Sequence, residues 1–474
     1  MERLSQVAWT PAGALGVLLV GLLTASTASA VPSFARQTGL ACQACHTVFP
    51  ELTPFGRTFK LNAYTLANLP QVQGITPSKD YELLLNQVPA LSLMFQTSYT
   101  RTSSALPDTT VSGAKSQDGQ VLFPQQASLF YAGRIAPNLG SFIQMTYDSA
   151  SGKFHWDNTE LRFAKQIASS IGRLTLGATL NGNPTVQDPW NSTPAWQTPF
   201  DQRSSAALMP GASTQIDGPL AGRGAAGITG YLWWNDSVYA EVGVYRSAPQ
   251  GFSNNGFAGP LDSSAGGVLS SGAPYWRIAY ERQWSRNSWS VGAYGVVARI
   301  TPPLLAVGSA SDKFSDVALD SQYQFIGDEH IFSVQTTYIK ETQSRDATFA
   351  HGGSSNPSDD LKTFRLGGSY YYQRFLGGAL GYFSTMGSTD PALYAPVVSS
   401  FVPPLATSVV GFANGSPNSS GWIGELDYLP WQNVKIALQY TAYHKFNGAS
   451  SNYDGNGRDA SANNTLYLLG WFAF

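Results

Sequence analysis

From about residue 89 to its C-terminus the chain is written with a period of two. Leu91, Leu93, Phe95 and Tyr99 fall on one side of an extended backbone, and Ser92, Gln96, Ser98 and Thr100 on the other. Leu139, Ile143, Met145 and Tyr147 oppose Gln144, Thr146 and Asp148 in the same way, as Val434, Ile436, Leu438 and Tyr440 oppose Lys435, Gln439 and Thr441. Successive strand side chains point to opposite faces, so each segment has one apolar and one polar face. A soluble sandwich alternates too, but its wet face carries charge. Here only 12% of the 474 residues are charged, while 13% are aromatic, and Gly, Tyr and Trp number 47, 23 and 12. So little charge cannot clothe a soluble surface, and so many aromatics argue against disorder. A net charge of −2 with no basic run points away from nucleic acid.

The pattern predicts an all-β fold: a transmembrane antiparallel β-barrel of about sixteen strands, each near ten residues long. The strands are expected near 89–101, 125–135, 139–148, 157–166, 173–180, 226–234, 238–246, 275–284, 289–299, 316–326, 331–340, 362–373, 376–384, 421–429, 433–443 and 465–474. Tight turns such as Asn235-Asp236-Ser237 alternate with long Gly/Ser/Asn/Pro-rich loops at 181–225, 247–274, 385–420 and 444–464. Outer-membrane barrels have short periplasmic turns and long extracellular loops. The expected home is therefore the outer membrane of a Gram-negative bacterium, with lipid as a partner. An even strand count leaves both ends of the barrel in the periplasm.

The first thirty residues read as a cleaved secretory leader: Arg3, an apolar run from about Ala12 to Leu23, then Ala28-Ser29-Ala30. The run is too short for a helical anchor. The expected organisation is a signal peptide at 1–30, a cofactor-bearing segment at 31–88 and the barrel at 89–474.

That middle segment holds both cysteines of the protein, in Cys42-Gln43-Ala44-Cys45-His46. C-x-x-C-H is the attachment pattern for haem c: two thioethers from Cys42 and Cys45, and His46 as proximal iron ligand. A thioredoxin-like motif would need a surrounding βαβ unit, and a structural zinc site would need four ligands. A short helix is predicted next, with Thr53 as N-cap, Pro54 at its first position, and Phe55 and Phe59 one turn apart. Arg57 and Lys60 lie off that face and are candidates to neutralise haem propionates, or else are solvated charges. Some 60 residues bury too little to enclose a haem alone, whereas a sixteen-stranded barrel leaves a wide lumen. The segment is expected to plug the pore. Met94 is the one Met expected to point into the lumen, and is the candidate distal ligand; an ordinary lumen-facing side chain and a five-coordinate haem are the alternatives. Asp148, Glu160, Asp316, Asp320, Glu425 and Asp427 can also face the lumen, where a ferrous ion would find oxygen ligands. Trp190 and Trp196 sit in a loop that could fold inward and narrow the mouth.

Phe34-Ala35-Arg36-Gln37-Thr38-Gly39, then Cys42 to His46, then Phe55-Gly56-Arg57 and Phe59-Lys60 resemble the fused cytochrome–porin family, whose best-known members are outer-membrane iron oxidases. The likeness covers roughly 35 residues, with Ala63 standing where Gly is expected. It implies one haem c held in the pore by Cys42, Cys45 and His46. It also implies electron transfer from extracellular Fe(II) to a periplasmic c-type cytochrome or copper protein, hence an Fe(II):cytochrome oxidoreductase. Relatives with this segment need not all oxidise iron. A diffusion porin with a haem-bearing plug, and outward electron transfer to extracellular acceptors, are the competing readings.

Overall fold

The computed structural model describes residues 33–66, 89–105, 119–148, 152–170, 172–193, 204, 207–218, 220, 225–247, 268–302, 305, 308–394 and 412–474. The leader, the connector near 70–88, Trp196 and parts of the long loops lie outside the described residues, as does the side chain of Asp148.

Sixteen strands close into a ring: β1 (Leu91–Thr102), β2 (Gln120–Ala136), β3 (Leu139–Asp148), β4 (Lys153–Ser169), β5 (Gly172–Asn181), β6 (Ala226–Trp234), β7 (Val238–Arg246), β8 (Ala273–Trp284), β9 (Asn287–Thr301), β10 (Asp312–Ile326), β11 (His330–Ser344), β12 (Ser358–Tyr372), β13 (Leu376–Gly387), β14 (Ser419–Trp431), β15 (Val434–Lys445) and β16 (Thr465–Ala473). A two-residue strand, Val268–Leu269, pairs beside β9 outside this ring. Every neighbour is antiparallel, and β1 closes the barrel by pairing with β16 from Met94↔Ala473 to Thr102↔Thr465. Closure removes both sheet edges, so no row of backbone donors and acceptors is left unpaired in lipid. Among the described residues no helix is long and apolar enough to cross a membrane. The predicted fold is the observed one. Several strands reach further toward the long loops than their apolar pattern shows: β4 starts at Lys153 and takes in His155, and β10 starts at Asp312.

The alternation sorts as expected. Leu129, Leu176, Ile278, Leu319, Leu380 and Leu438 are exposed on the outer face. Exposed aromatics flank this band, with Trp284, Phe332 and Tyr370 toward the short turns and Trp156, Trp276 and Trp422 toward the long loops. An apolar belt between aromatic girdles is what a lipid bilayer selects. The hairpin turns follow chirality: Asn235 and Asp236 both take positive φ (49° and 52°), as a two-residue turn matched to strand twist requires.

Val31–Phe474 forms one compact unit. Its N-terminal part folds as three short helices, α1 (Ser33–Thr38), α2 (Cys42–Cys45) and α3 (Pro54–Leu61), lying against inward-facing barrel residues. Thr53 caps α3 by accepting from Gly56 N (3.0 Å), with Pro54 in the first turn. The Thr53 hydroxyl also donates to Ala44 O (2.7 Å), tying α3 to α2. The chain after β5 turns into the lumen from the opposite end. There Asn183 caps the single turn α4 (Pro184–Gln187) by accepting from Val186 N (2.7 Å). The carboxylate of Asp188 then gathers Trp190 N, Ser192 N and the Ser192 hydroxyl.

Candidate functional site: a lumenal cavity between plug and wall

The plug is bound through polar side chains around the ring. Gln37 of α1 donates to Ala132 O (2.9 Å) and accepts from Arg134 N (3.1 Å) on β2. Arg57 forms a two-pronged ion pair with Glu281 of β8 (2.8 and 3.0 Å), with both side chains almost fully buried. It also donates to Gln324 Oε1 of β10 (3.0 Å) and to Leu52 O (2.7 Å). Gln324 and Gln322 in turn donate to Glu51 (2.6 and 3.2 Å). Tyr231 of β6 donates to Leu61 O (2.6 Å). The inward loop meets the plug from the other side: Lys60 donates to Val186 O and Asp188 O, and Leu61 packs with Trp190, Trp233 and Tyr239.

A cavity of about 210 Å³ lies between plug and wall. Cys42, Cys45 and His46 line it together with Phe34, Phe49, Leu52 and Phe59 of the plug. The wall contributes Met94, Phe130, Ala132, Phe142, Trp471 and Ala473, and the turns contribute Arg374, Gln432 and Asn433. All these wall residues belong to the short-turn end of their strands. The lining is mostly apolar at a place where a water-filled lumen would be polar.

The chemistry of the cavity wall is specific. Cys42 and Cys45 are unbridged thiols. Burial pushes both thiol pKa values up, that of Cys45 to about 11 with Cys42 adding to the shift, so neither is an ionised nucleophile. Burial lowers the His46 pKa to about 4, against an opposing influence from the backbone of Pro50 and Glu51, so its imidazole is neutral at pH 7. Nδ1 of His46 is buried without a hydrogen-bond partner. Helix α3 lies so close to α2 that a Cβ on Gly56 would stand 2.2 Å from Cys45 O. Two adjacent thiols, a neutral imidazole and an apolar, aromatic surround fit a c-type haem: Cys42 and Cys45 could hold it and His46 could ligate its iron.

The other expected site residues separate. Met94 is buried and on the cavity wall, within the cluster of Phe130, Leu469 and Trp471. Lys60 is on the lining, with its ammonium already donating to two carbonyls and its pKa lowered to about 8 by burial. Arg57 is not on the lining: its guanidinium pairs with Glu281 of the wall and serves the docking of the plug. Phe55 and Phe59 also part company, the former exposed and the latter lining the cavity. Among the inward carboxylates, Glu160 pairs with Arg162, Asp320 with Arg277 (2.6 Å), and Glu425 and Asp427 with Lys435 (2.8 and 3.3 Å). No group of three or more His, Cys, Asp or Glu able to hold a metal ion occurs among the described residues. Trp190 does fold inward, donating to Glu281 (3.0 Å) with Arg277 stacked on its ring at 4.9 Å. Sequence reading missed Glu281, Arg374 and Trp471. The readable signal was in β16, whose inward positions Leu469, Trp471 and Ala473 are apolar where a wet lumen calls for polar residues.

No family model and no curated protein matches this sequence. Solved structures resemble it in fold. OmpF of Salmonella typhi in complex with daunomycin is 13% identical with a TM-score of 0.44, covering 81% of this chain and 97% of that one. The outer membrane channel DcaP of Acinetobacter baumannii is 11% identical with a TM-score of 0.42, covering 81% and 96%. An anion-selective porin from Comamonas acidovorans is 12% identical with a TM-score of 0.42, covering 81% and 98%. Likeness at this level says nothing of what this chain binds.

Proposed function

We propose that this porin-like outer-membrane barrel carries one covalently bound haem c in its lumen and transfers electrons between an extracellular donor, Fe(II), and a periplasmic c-type cytochrome or copper protein. The observation that carries the reading is the meeting of Cys42, Cys45, His46 and Met94 on one apolar cavity between the plug and the barrel wall. The haem would supply a one-electron carrier partway across a layer that electrons do not cross unaided. The residues of the chain do the rest. Cys42 and Cys45 tether the ring, and neutral His46 offers a ligand without first losing a proton. Phe34, Phe59, Phe130 and Trp471 would exclude water around it, and Met94 is the candidate to offer its iron a thioether, which would raise the potential relative to a second imidazole. The Arg57–Glu281 pair fixes the plug.

The barrel architecture taken alone favours a second reading, a diffusion porin whose haem-bearing plug gates or staples the pore. Outward electron transfer to extracellular acceptors would use the same parts with the opposite driving force. The test is to mix oxidised protein in detergent with anaerobic Fe(II) and follow the haem bands by stopped flow. Rapid appearance of the ferrous c-type spectrum is expected. A haem that dithionite reduces but Fe(II) does not would remove Fe(II) as donor and favour the porin or outward-transfer reading.

A further inference from the structure

We propose that Arg374 and Trp471 form an anion-binding rim of the cavity and hold the propionate carboxylates of its haem. The inference rests on the haem reading above and adds to it the residues that meet the charged edge of the ring. Arg374 sits in the turn between β12 and β13, half-buried and on the cavity lining. Its guanidinium donates to His46 O (3.4 Å), which places it beside the proximal histidine. It makes no ion pair with any described carboxylate. Arg57, by contrast, is committed to Glu281, and Lys60 donates to two backbone carbonyls. A half-buried guanidinium that faces a cavity without a counter-charge is poised for an anion, and its planar fork suits a carboxylate.

Trp471 supplies an independent observation. Its ring stacks on Phe49 at 4.8 Å, and Phe49 lies 5.1 Å from the His46 ring. The residue is 3% exposed and lines the same cavity, yet its Nε1–H is buried without an acceptor. Buried indole N–H groups normally find a partner. The two carboxylates of the ring would answer the unpaired cation and the orphaned donor.

The turn adds a third indication. Gln373 and Arg374 both hold positive φ (48° and 57°), whereas other turns of this barrel place Asn, Asp or Ser in that region: Asn138, Asn235, Asp236 and Ser285. Neither Gln nor Arg favours this conformation. A long cation kept at an unfavourable backbone position is explained by what its side chain does.

The experiment uses purified protein and the variants Arg374→Gln, Arg374→Lys and Trp471→Phe. Covalent haem is first quantified as its pyridine haemochrome, and barrel folding is checked by heat-modifiable migration. Removing a positive charge beside the ring favours the ferric state. Arg374→Gln is therefore expected to lower the equilibrium constant for haem reduction roughly three- to tenfold, the upper end being about 59 mV for one electron. Trp471→Phe should shift it less in the same direction, and Arg374→Lys should stay near wild type. The propionate-bending band in resonance Raman should move in Arg374→Gln and in Trp471→Phe. Folded variants with full haem, unchanged equilibrium constants and an unmoved band would overturn the rim while leaving the haem reading intact. A wild type without covalent haem would overturn both. Should Arg374→Gln fail to fold, Trp471→Phe carries the same readouts.

Discussion

Ala63 holds φ at 57° and Tyr64 at 56°, just after α3, and Ala63 is fully buried. A Cβ in the left-handed region costs about 1 kcal/mol, a strain that Gly would not carry. Ala63→Gly is expected to tighten docking of the plug by up to about 1 kcal/mol, and Ala63→Val to weaken it by more. The denaturant midpoint for protease access to residues 33–66 would show both, and a Gly variant that loosens the plug would contradict the strain argument. Lys60 gives a pH signature. Burial lowers its pKa to about 8 from an ordinary 10.5, so between those values the undocked segment binds more protons than the docked one. Docking should therefore strengthen as pH rises from 8 to 10.5 and be flat in this respect below 8. In Cys42→Ala/Cys45→Ala protein, the same protease assay should show that rise, and Lys60→Met should abolish it. At this scale the sequence was legible wherever a local rule applies. Spacing marks Cys42, Cys45 and His46, and alternation turns Met94 inward. It was not legible for Arg57, because nothing near a charged residue tells which partner it meets 224 positions away. Nor was it legible for Arg374, since turn residues obey no alternation.

Helices as short as α1, α2 and α3 cannot hold themselves together. What fixes them is side chains of the wall, the buried Arg57–Glu281 pair among them. Breaking a buried pair by removing one partner leaves a naked charge, at a cost of about 3–5 kcal/mol. Glu281→Ala is thus expected to release the plug from a barrel that still forms. The observation would be rapid proteolysis within residues 33–66 alongside normal heat-modifiable migration. Arg57→Met/Glu281→Leu should recover much of the docking, because it removes both charges together. A Glu281→Ala protein as resistant as wild type would mean that the Glu51–Gln324 and Tyr231–Leu61 contacts suffice without the pair. The strands themselves were readable because lipid imposes an apolar outer face on each. Their outer ends were not, since Lys153, Asp312 and Asp359 sit beyond the apolar belt where polar residues return. The inward course of the loop after β5 was open to the sequence but not fixed by it. It depends on Asn183 and Asp188 turning the chain through hydrogen bonds to their own neighbours, and on Trp190 finding Glu281 and Arg277 across the lumen.

For the whole molecule, two features that are each unusual alone account for one another. The N-terminal segment is too small to bury an apolar cofactor by itself. The inward surface at the short-turn end, from Leu469 and Trp471 through Met94 to Phe130, is too apolar for a water-filled pore. Packed together, each covers what the other would leave exposed, and on the proposed haem reading the barrel would form part of the cofactor pocket rather than a container around it. Removing the plug should then do two things at once. Deleting residues 33–66 is expected to raise single-channel conductance in planar bilayers several-fold over the full-length protein. It should also expose the apolar lumenal patch to water, seen as new binding of a hydrophobic dye at the short-turn mouth. Electron transfer through a fixed plug predicts that full-length protein stays near baseline conductance whatever the redox state of its haem. A full-length protein that conducts at the level of the deletion variant would mean that solute passes beside the plug, and the diffusion-porin reading would then describe the molecule better.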